Sequence, residues 1–406
     1  MKLLVINPTH PLTPHISAVR AWRFSVELAK RGHQVVLLCA ALEDGQASDS
    51  TELARHDWQS PFVLACERGR TGRLDKDKLP LVFRKALTVW RMLRRGGDVG
   101  EWADNAVQTA QQLADTFRPD VIWTTFGMME AVIAARRIAR DTPCPWVLDI
   151  KDNWALYVPP GLRRIMALRT GGWAALTVNA RFTQQNTRRW QRKNATVVYS
   201  GVDESFFCAP ADSQVQILFC INLIGGLYFS DRLQDLLAGI KQWAADLSPS
   251  ERSLVRLCYL GGDSDLFAEH VAQIEPGIAV EMPGYLPVAE LARHCRDAAV
   301  NAYIAHPDGF HHKLLELLSC GRPLLAFPAE TEEAHELARQ VEGDLRTPAN
   351  AYEVAVELAK LHSQWRTQSA SPARPVAASL AYSWPEQTET LEQVLQSAAD
   401  RVKQDE

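Results

Sequence analysis

The chain has 406 residues, 47% hydrophobic and 23% charged, with a formal net charge of −4. That length predicts two domains of roughly 150–200 residues, and the charge balance excludes a general nucleic-acid binder with a broad basic face. Eight cysteines are scattered with no Cys-x-x-Cys pair and no Cys/His cluster at metal spacing, which predicts reduced, mostly buried thiols.

In chain order, Leu3–Ile6 reads as a strand rather than a signal segment. Ser17 to Arg31 reads as a helix stopped by Gly32-His33, and Gln34–Cys39 as a second strand. Strands follow at Asp120–Thr125, Pro145–Ile150, Ala174–Val178 and Thr196–Tyr199, interleaved with helices at Met128–Arg140 and Arg181–Arg192. Strands alternating with helices imply a parallel sheet covered on both faces. The pattern then restarts, placing a boundary near Gly201–Pro210. Val215–Phe219, Leu254–Leu260, 278–282, Ala299–Ile304 and 324–327 read as strands. Arg232–Asp246, 264–274, a segment from Pro287, 332–341 and 350–365 read as helices. Ser369–Pro375 reads as a linker, and Pro385–Val402 as a last helix. The expected fold is α/β, two doubly wound Rossmann-like domains facing across a cleft. The expected divisions are 1–205, 206–382 and a C-terminal helix 383–406 packing back on the first domain. Ligands of such sheets bind at the carboxyl ends of strands.

One segment carries chemistry by itself. Asp308-Gly-Phe-His-His-Lys-Leu-Leu-Glu316, followed by Gly321-Arg-Pro323, reads as a polar loop and then a helix starting near His311 or His312. Glu316 sits in an apolar helical run, where a charge without a partner is costly. Lys313 stands in the first turn, where a helix dipole favours anions. A phosphate cradle with a carboxylate one turn deeper is one reading. An ordinary amphipathic helix with Glu316 paired to Arg322 and Lys313 solvated is the other. His311 and His312 are adjacent and cannot face one ion from a helix, which favours metal independence. Two further stretches, Phe83–Arg95 and Pro160–Arg169, interleave apolar residues with Arg and Lys. Each suits either a surface helix at an anionic membrane or a core-facing helix with a solvated basic side. No apolar run approaches the roughly 20 residues that span a bilayer, so a cytosolic protein is expected, with peripheral contact at the inner membrane face as an option.

Several motifs, taken together and in order, resemble a known family. Lys30-Arg-Gly-His33 closes the first helix. Asp149-Ile-Lys151-Asp152-Asn-Trp154 resembles a "D-I-R-D-x-W" segment, and Val198-Tyr-Ser-Gly201-Val-Asp203 a "V-x-N-G-V-D" signature. Asp308 and Glu316 occupy the positions of an E-x7-E motif, with Lys313 in its "K-L-x-E" form. By these the chain resembles the family-four retaining glycosyltransferases of the two-Rossmann-domain (GT-B) class, in a bacterial polysaccharide-building subgroup. It departs from that pattern at Asp308 (for Glu), Lys151 (for Arg), Leu227 (where many relatives place a phosphate-binding Arg) and Ser200 (for Asn).

The resemblance implies transfer of a sugar from a nucleoside-diphosphate donor to a glycan or lipid-linked acceptor, with retention and without metal or cofactor. Arg232, Lys313, the Gly225-Gly226 turn and the segment Phe310, His311, His312 to Leu315 are expected to hold the diphosphate. Glu316 is expected on the ribose hydroxyls, Asp308 near the transferred sugar, and Gly284 and Tyr285 beside the base. Asp149, Lys151 and Asp152 are candidates for orienting acceptor or donor. Asp149 or Asp152 could instead cap the turn and seat Trp154. His10 and His15 are expected on the acceptor side. A nucleotide-sugar epimerase of the same architecture, or a non-catalytic nucleotide-sugar binding protein, is the alternative.

Overall fold

A computed structural model describes residues 1–42, 50–68, 79–97, 100–191, 194–207, 217–306, 309–367 and 377–405. The chain forms two compact units, Met1–Ser200 together with Trp384–Glu406, and Gly201–Ser383.

The first unit contains β1 (Lys2–Ile6), α1 (Ile16–Lys30), β2 (Gln34–Ala40), β3 (Phe62–Cys66), α2 (Leu81–Arg95), α3 (Gly100–Leu113), β4 (Val121–Phe126) and α4 (Met129–Asp141). It continues with β5 (Trp146–Ile150), α5 (Trp154–Tyr157), α6 (Arg163–Arg169), β6 (Ala175–Val178), α7 (Arg181–Gln191) and β7 (Thr196–Val197). The second unit contains β8 (Phe219–Ile224), α8 (Ser230–Ala245), α9 (Pro249–Ser253), β9 (Val255–Leu260), α10 (Ser264–Ile274), β10 (Ala279–Glu281) and α11 (Val288–Asp297). It ends with β11 (Val300–Ile304), α12 (Lys313–Ser319), β12 (Leu324–Phe327), α13 (Glu332–Gln340), β13 (Leu345–Arg346) and α14 (Ala351–Thr367), before α15 (Trp384–Asp405) returns to the first.

Among the described residues the first sheet has seven strands in the order β3-β2-β1-β4-β5-β6-β7, and the second six in the order β10-β9-β8-β11-β12-β13. The paired strands run parallel. Their sequences explain this: the central strands are largely apolar and buried along nearly their whole length, as sheets covered on both faces require. Alternation splits them between two cores. Leu4 and Ile6 of β1 join Trp102, Phe126 and Trp154 under α3 and α4. Leu3 and Val5 join Phe24 of α1 and Leu391 and Leu395 of α15 on the opposite face. The expected return of the C-terminal helix to the first domain is what the structure shows. Trp384 meets the Phe24 ring edge-on at 5.0 Å, and Glu392 accepts from His33 at 2.7 Å. In the second unit α8 and α14 cross closely because position 239 is glycine; a Cβ there would lie 2.5 Å from the Ala351 carbonyl oxygen.

Three expectations change. The strand expected at Val215–Phe219 is β8 at Phe219–Ile224; residues 215 and 216 lie outside the described residues. Asn222 is buried in the strand and donates to the His294 carbonyl at 2.8 Å. β3 and α3 are additions, in a stretch whose pattern suggested only the basic segment 83–95. The junction falls at Ser200/Gly201 and Ser383/Trp384 rather than at 205/206 and 382/383. The reason is local: Asp203 caps a short turn whose Phe206 is buried, Arg296 donates to the Ser205 carbonyl, and Val202 pairs with Ser383. The expected linker Ser369–Pro375 lies outside the described residues.

Candidate functional site

In the second unit the strand order reverses between β8 and β11, and such a reversal opens a crevice at the strands' carboxyl ends. β8 leads into Gly225, whose φ of +88° is left-handed. A Cβ on Gly225 would lie 2.3 Å from Lys313 Nζ, so glycine serves both the turn and the lysine. Lys313 opens α12 on the return from β11. Its Nζ donates to the Ile224 carbonyl at 3.1 Å and lies 5.3 Å from the centre of the Tyr303 ring. Burial lowers its pKa to about 8, with Glu316 and Glu330 pulling the other way. Of the two readings, the one with a solvated Lys313 is set aside: its ammonium is buried against the glycine turn.

The glycine turn is braced from below. Tyr259 Oη donates to the Gly225 carbonyl at 3.0 Å and accepts from the Asp263 amide at 3.0 Å, while Asp263 accepts from the Leu227 amide at 2.8 Å. Leu227 is buried in the core. Tyr228 lies over Gly226, where a Cβ would meet its Cζ at 3.0 Å, and is 65% exposed. Arg232, in the first turn of α8, donates to the Ala305 carbonyl at the end of β11 at 2.5 Å and stacks 4.4 Å over Phe229.

His311 and His312 separate, as neighbours in a turn must. His311 is buried; its Nε2 accepts from the His306 amide at 2.7 Å, which leaves Nδ1 as the proton-bearing nitrogen that donates to Glu330 at 2.5 Å. Tyr303 Oη donates to the same carboxylate oxygen at 2.5 Å, and the Thr331 amide to the other at 2.9 Å. Burial alone would raise the Glu330 pKa. The hydrogen bond from His311, then those from Tyr303 and Thr331, hold it below the usual carboxylate value. His312 Nε2 lies 3.2 Å from Glu316 Oε1. Glu316 thus pairs with His312, while Arg322 Nε donates to the Arg296 carbonyl at 2.7 Å. Its carboxylate is 18% exposed, so it is neither sealed in the core nor solvated. The Leu315 side chain, expected at the donor, is core at 1% exposure. Phe310 is half-buried. Asp308 lies outside the described residues. Gly284, with φ +83° and open space around it, and Tyr285, 67% exposed, follow the edge strand β10. Tyr303, Glu330 and Tyr228 carried no motif in the sequence.

In the first unit the order reverses between β1 and β4. The loop after β1 is pinned by buried Asn7, which donates to the Ser17 carbonyl at 2.8 Å and accepts from the Thr9 amide at 2.9 Å. His10 accepts from the Leu12 amide at 3.2 Å, and desolvation lowers its pKa. His15 caps α1 by accepting from the Ser17 amide at 3.1 Å. Desolvation lowers the His15 pKa, Lys151 adds to the fall and Asp152 opposes it. Lys151, buried after β5, pairs with Asp152 beside Gly127, where a Cβ would lie 2.9 Å from Lys151 Cε. His15 thus lies within electrostatic range of the Lys151–Asp152 pair. Asp149 does not join it. Both its oxygens are taken by a fully buried Arg20 at 2.8 and 2.9 Å, and Thr177 donates to it at 2.7 Å. It fastens α1 to the sheet and is corrected from candidate catalytic group to structural tie. Asn153, rather than Asp149 or Asp152, caps the turn that starts at Trp154.

Among the described residues no group of three or more His, Cys, Asp or Glu side chains lies together as a metal ion would need. A groove of about 760 Å³ between α8, α9 and α14 opens away from the strand ends. Its Arg366 is held by Glu251, and its His362 stacks on Trp365.

No family model and no curated protein matches the chain. Solved structures do, over nearly full length. An Anabaena protein, Alr3699/HepE, in complex with UDP and glucose aligns with TM-score 0.66 at 15% identity, covering 98% of this chain and 100% of that one. Sucrose-phosphate synthase from Thermosynechococcus elongatus aligns with TM-score 0.64 at 14% identity, covering 99% and 97%. A putative UDP-N-acetylglucosamine 2-epimerase from Listeria monocytogenes aligns with TM-score 0.59 at 12% identity, covering 98% and 97%. At these identities the likeness establishes the fold: two parallel-sheet α/β units of the GT-B type.

Proposed function

We propose that the chain is a glycosyltransferase that moves a sugar from a nucleoside-diphosphate donor to a glycan or lipid-linked acceptor, with retention and without a metal ion. The observation that carries this reading is the placement of Lys313 at the reversal between β8 and β11, its ammonium against a glycine turn in which backbone can approach a diphosphate. As the bond from the sugar's anomeric carbon to the phosphate oxygen breaks, the leaving diphosphate gains charge, and a fixed, partly desolvated cation stabilises that change more than the ground state. The acceptor hydroxyl forms the new bond to the anomeric carbon on the same face and passes its proton to the departing phosphate. Lys313, Gly225, Gly226 and Arg232 then serve the diphosphate, Glu316 the ribose hydroxyls, and Gly284 and Tyr285 the base. β10 lies two strands from β8, about 10 Å at ordinary strand spacing, a span suited to a nucleoside stretched across the strand ends. His15, Lys151 and Asp152 of the first unit serve the acceptor side. The HepE complex with UDP-glucose makes UDP-sugars the first donors to test.

The likeness to the Listeria 2-epimerase favours one second reading, epimerisation of a nucleotide sugar. Calorimetry with UDP-, GDP- and dTDP-sugars, followed by product analysis with and without acceptor glycans, separates the two. Transfer predicts nucleoside diphosphate release that depends on acceptor; epimerisation predicts a new nucleotide sugar and no release. Absence of binding by every donor, with Glu316→Ala and Lys313→Met silent, would defeat both.

A further inference from the structure

We infer that α2 and α6 of the first unit form a docking surface for an anionic lipid bilayer, with α2 lying in the interface. This stands on the first unit alone and is independent of the reaction proposed above.

A surface helix normally buries an apolar stripe against its own domain. α2 does not. Of its fifteen residues Met92 is the one that is buried. At helical spacing Val82, Ala86 and Trp90 share a face with Phe83, and Val82, Phe83 and Trp90 are 75, 66 and 49% exposed; Val89 and Leu93, on the flank nearer Met92, are half-buried, Leu93 against the core. That face is about 130° around the helix from Met92, at 100° per residue. The stripe therefore points away from the core that Met92 joins. α6 repeats the feature, with Ile165 at 46% and Leu168 at 81% exposure while Met166 and Ala167 are buried. Both helices cover the same face of the sheet, since Met92 and Met166 belong to one core cluster. α4 lies between them: Gly96 closes on Glu130 and Ile133, and Arg136 reaches the Gly171 carbonyl just beyond α6.

Charge identifies the occupant. α2 carries five cations and α6 three, and neither carries an Asp or Glu, in a chain whose net charge is −4. Arg95 pairs with Glu101 and Arg163 turns to the Val158 and Ala155 carbonyls, while Lys85, Arg94, Arg164 and Arg169 are exposed. A second copy would set this basic surface against itself. An acidic protein or a nucleic acid would meet the cations but leave Val82, Phe83 and Trp90 facing water. An anionic lipid interface takes both, the apolar stripe at the acyl boundary and the cations at the headgroups. Trp90, with Arg94 stacked 5.3 Å over its ring, has the amphipathic character that such boundaries favour. Among the described residues no helix is long and apolar enough to cross a membrane, so the contact proposed is peripheral.

The experiment is vesicle co-sedimentation of the full chain with phosphatidylcholine alone and with 30% phosphatidylglycerol added. Calorimetric donor binding and gel filtration run in parallel. Expected is binding to the anionic vesicles that weakens with salt, at least tenfold less binding to the neutral ones, and at least tenfold loss in both Phe83→Ser/Trp90→Ser and Lys85→Glu/Arg94→Glu. Unchanged thermal unfolding of the variants shows that they fold. Equal sedimentation of wild type and both variants would overturn the proposal. So would a wild-type dimer that Phe83→Ser/Trp90→Ser converts to monomer without any vesicle binding.

Discussion

Lys313 is the residue whose chemistry the structure alters most. Its folded pKa of about 8 lies below the ordinary lysine value of 10.5, so between those pH values the unfolded chain binds more protons and stability rises with pH. Below about pH 8 the cost of a desolvated ammonium is present in full. A bound diphosphate favours the charged form, so binding above pH 8 takes up a proton. Donor affinity measured by calorimetry should be flat below pH 8 and fall above it, with an enthalpy that depends on buffer ionisation. Lys313→Met should lower affinity by tenfold or more and abolish that pH dependence. The glycines offer a paired test. Gly225→Ala forces a left-handed alanine, costing about 1–2 kcal/mol, and also displaces Lys313 Nζ. Gly284→Ala has the same φ problem but open space. Thermal melts should show a loss for both, at least as large for Gly225→Ala, and Gly225→Ala should weaken binding of inorganic pyrophosphate, which lacks a base, while Gly284→Ala should not.

At the scale of elements, tertiary partners override what a motif suggests. Asp149 looked like a reactive carboxylate at a strand end, yet its partner Arg20 lies 129 residues away on α1, and no local pattern announces that pairing. Asp149→Asn should cost about 3–5 kcal/mol in urea unfolding, because a buried guanidinium is left unpaired. The double change Arg20→Met/Asp149→Leu should recover much of that; a loss as large as the single variant's would contradict the assignment as a tie. Glu330 was illegible for the same reason. It follows β12 with no periodicity of its own, and acquires meaning when β11 brings Tyr303 and the next loop brings His311 to it. Because its carboxyl is held below the usual carboxylate value, the stability it contributes is present above the unfolded pKa of about 4.5 and is lost as pH falls through the lower folded pKa. Glu330→Gln should flatten the stability profile on the acid side in denaturant titrations. By contrast Lys313, Glu316 and the glycine turn were legible, since chain order alone puts them at strand ends. Neither the Glu316–His312 pairing nor the burial of Lys313 followed from spacing.

For the molecule as a whole, alternation of strands and helices exposed two doubly wound units, because parallel sheets oblige long apolar runs that few other folds contain. β8 was displaced because Asn222 interrupts its run, and only the buried bond to His294 explains why an amide is tolerated there. The return of α15 was legible as a helix after a Pro- and Ala-rich stretch; its grip was not. Leu391 and Leu395 are fully buried against the first unit's sheet. Leu395→Ala should therefore lower that unit's urea stability by about 2–5 kcal/mol, and equal midpoints for variant and wild type would refute the packing.

That return has a consequence for synthesis. The second unit is an insertion, its ends at Gly201 and Ser383 brought together by the Val202–Ser383 bridge. On a ribosome, emerging N-terminal end first, residues 201–383 are all available before Trp384 has left the exit tunnel. The later unit in sequence is thus the first that can finish, while the earlier one waits with Phe24 and the outer face of β1 uncovered. A nascent chain stalled short of residue 384 should leave a protease-resistant second unit attached to a cleavable first one.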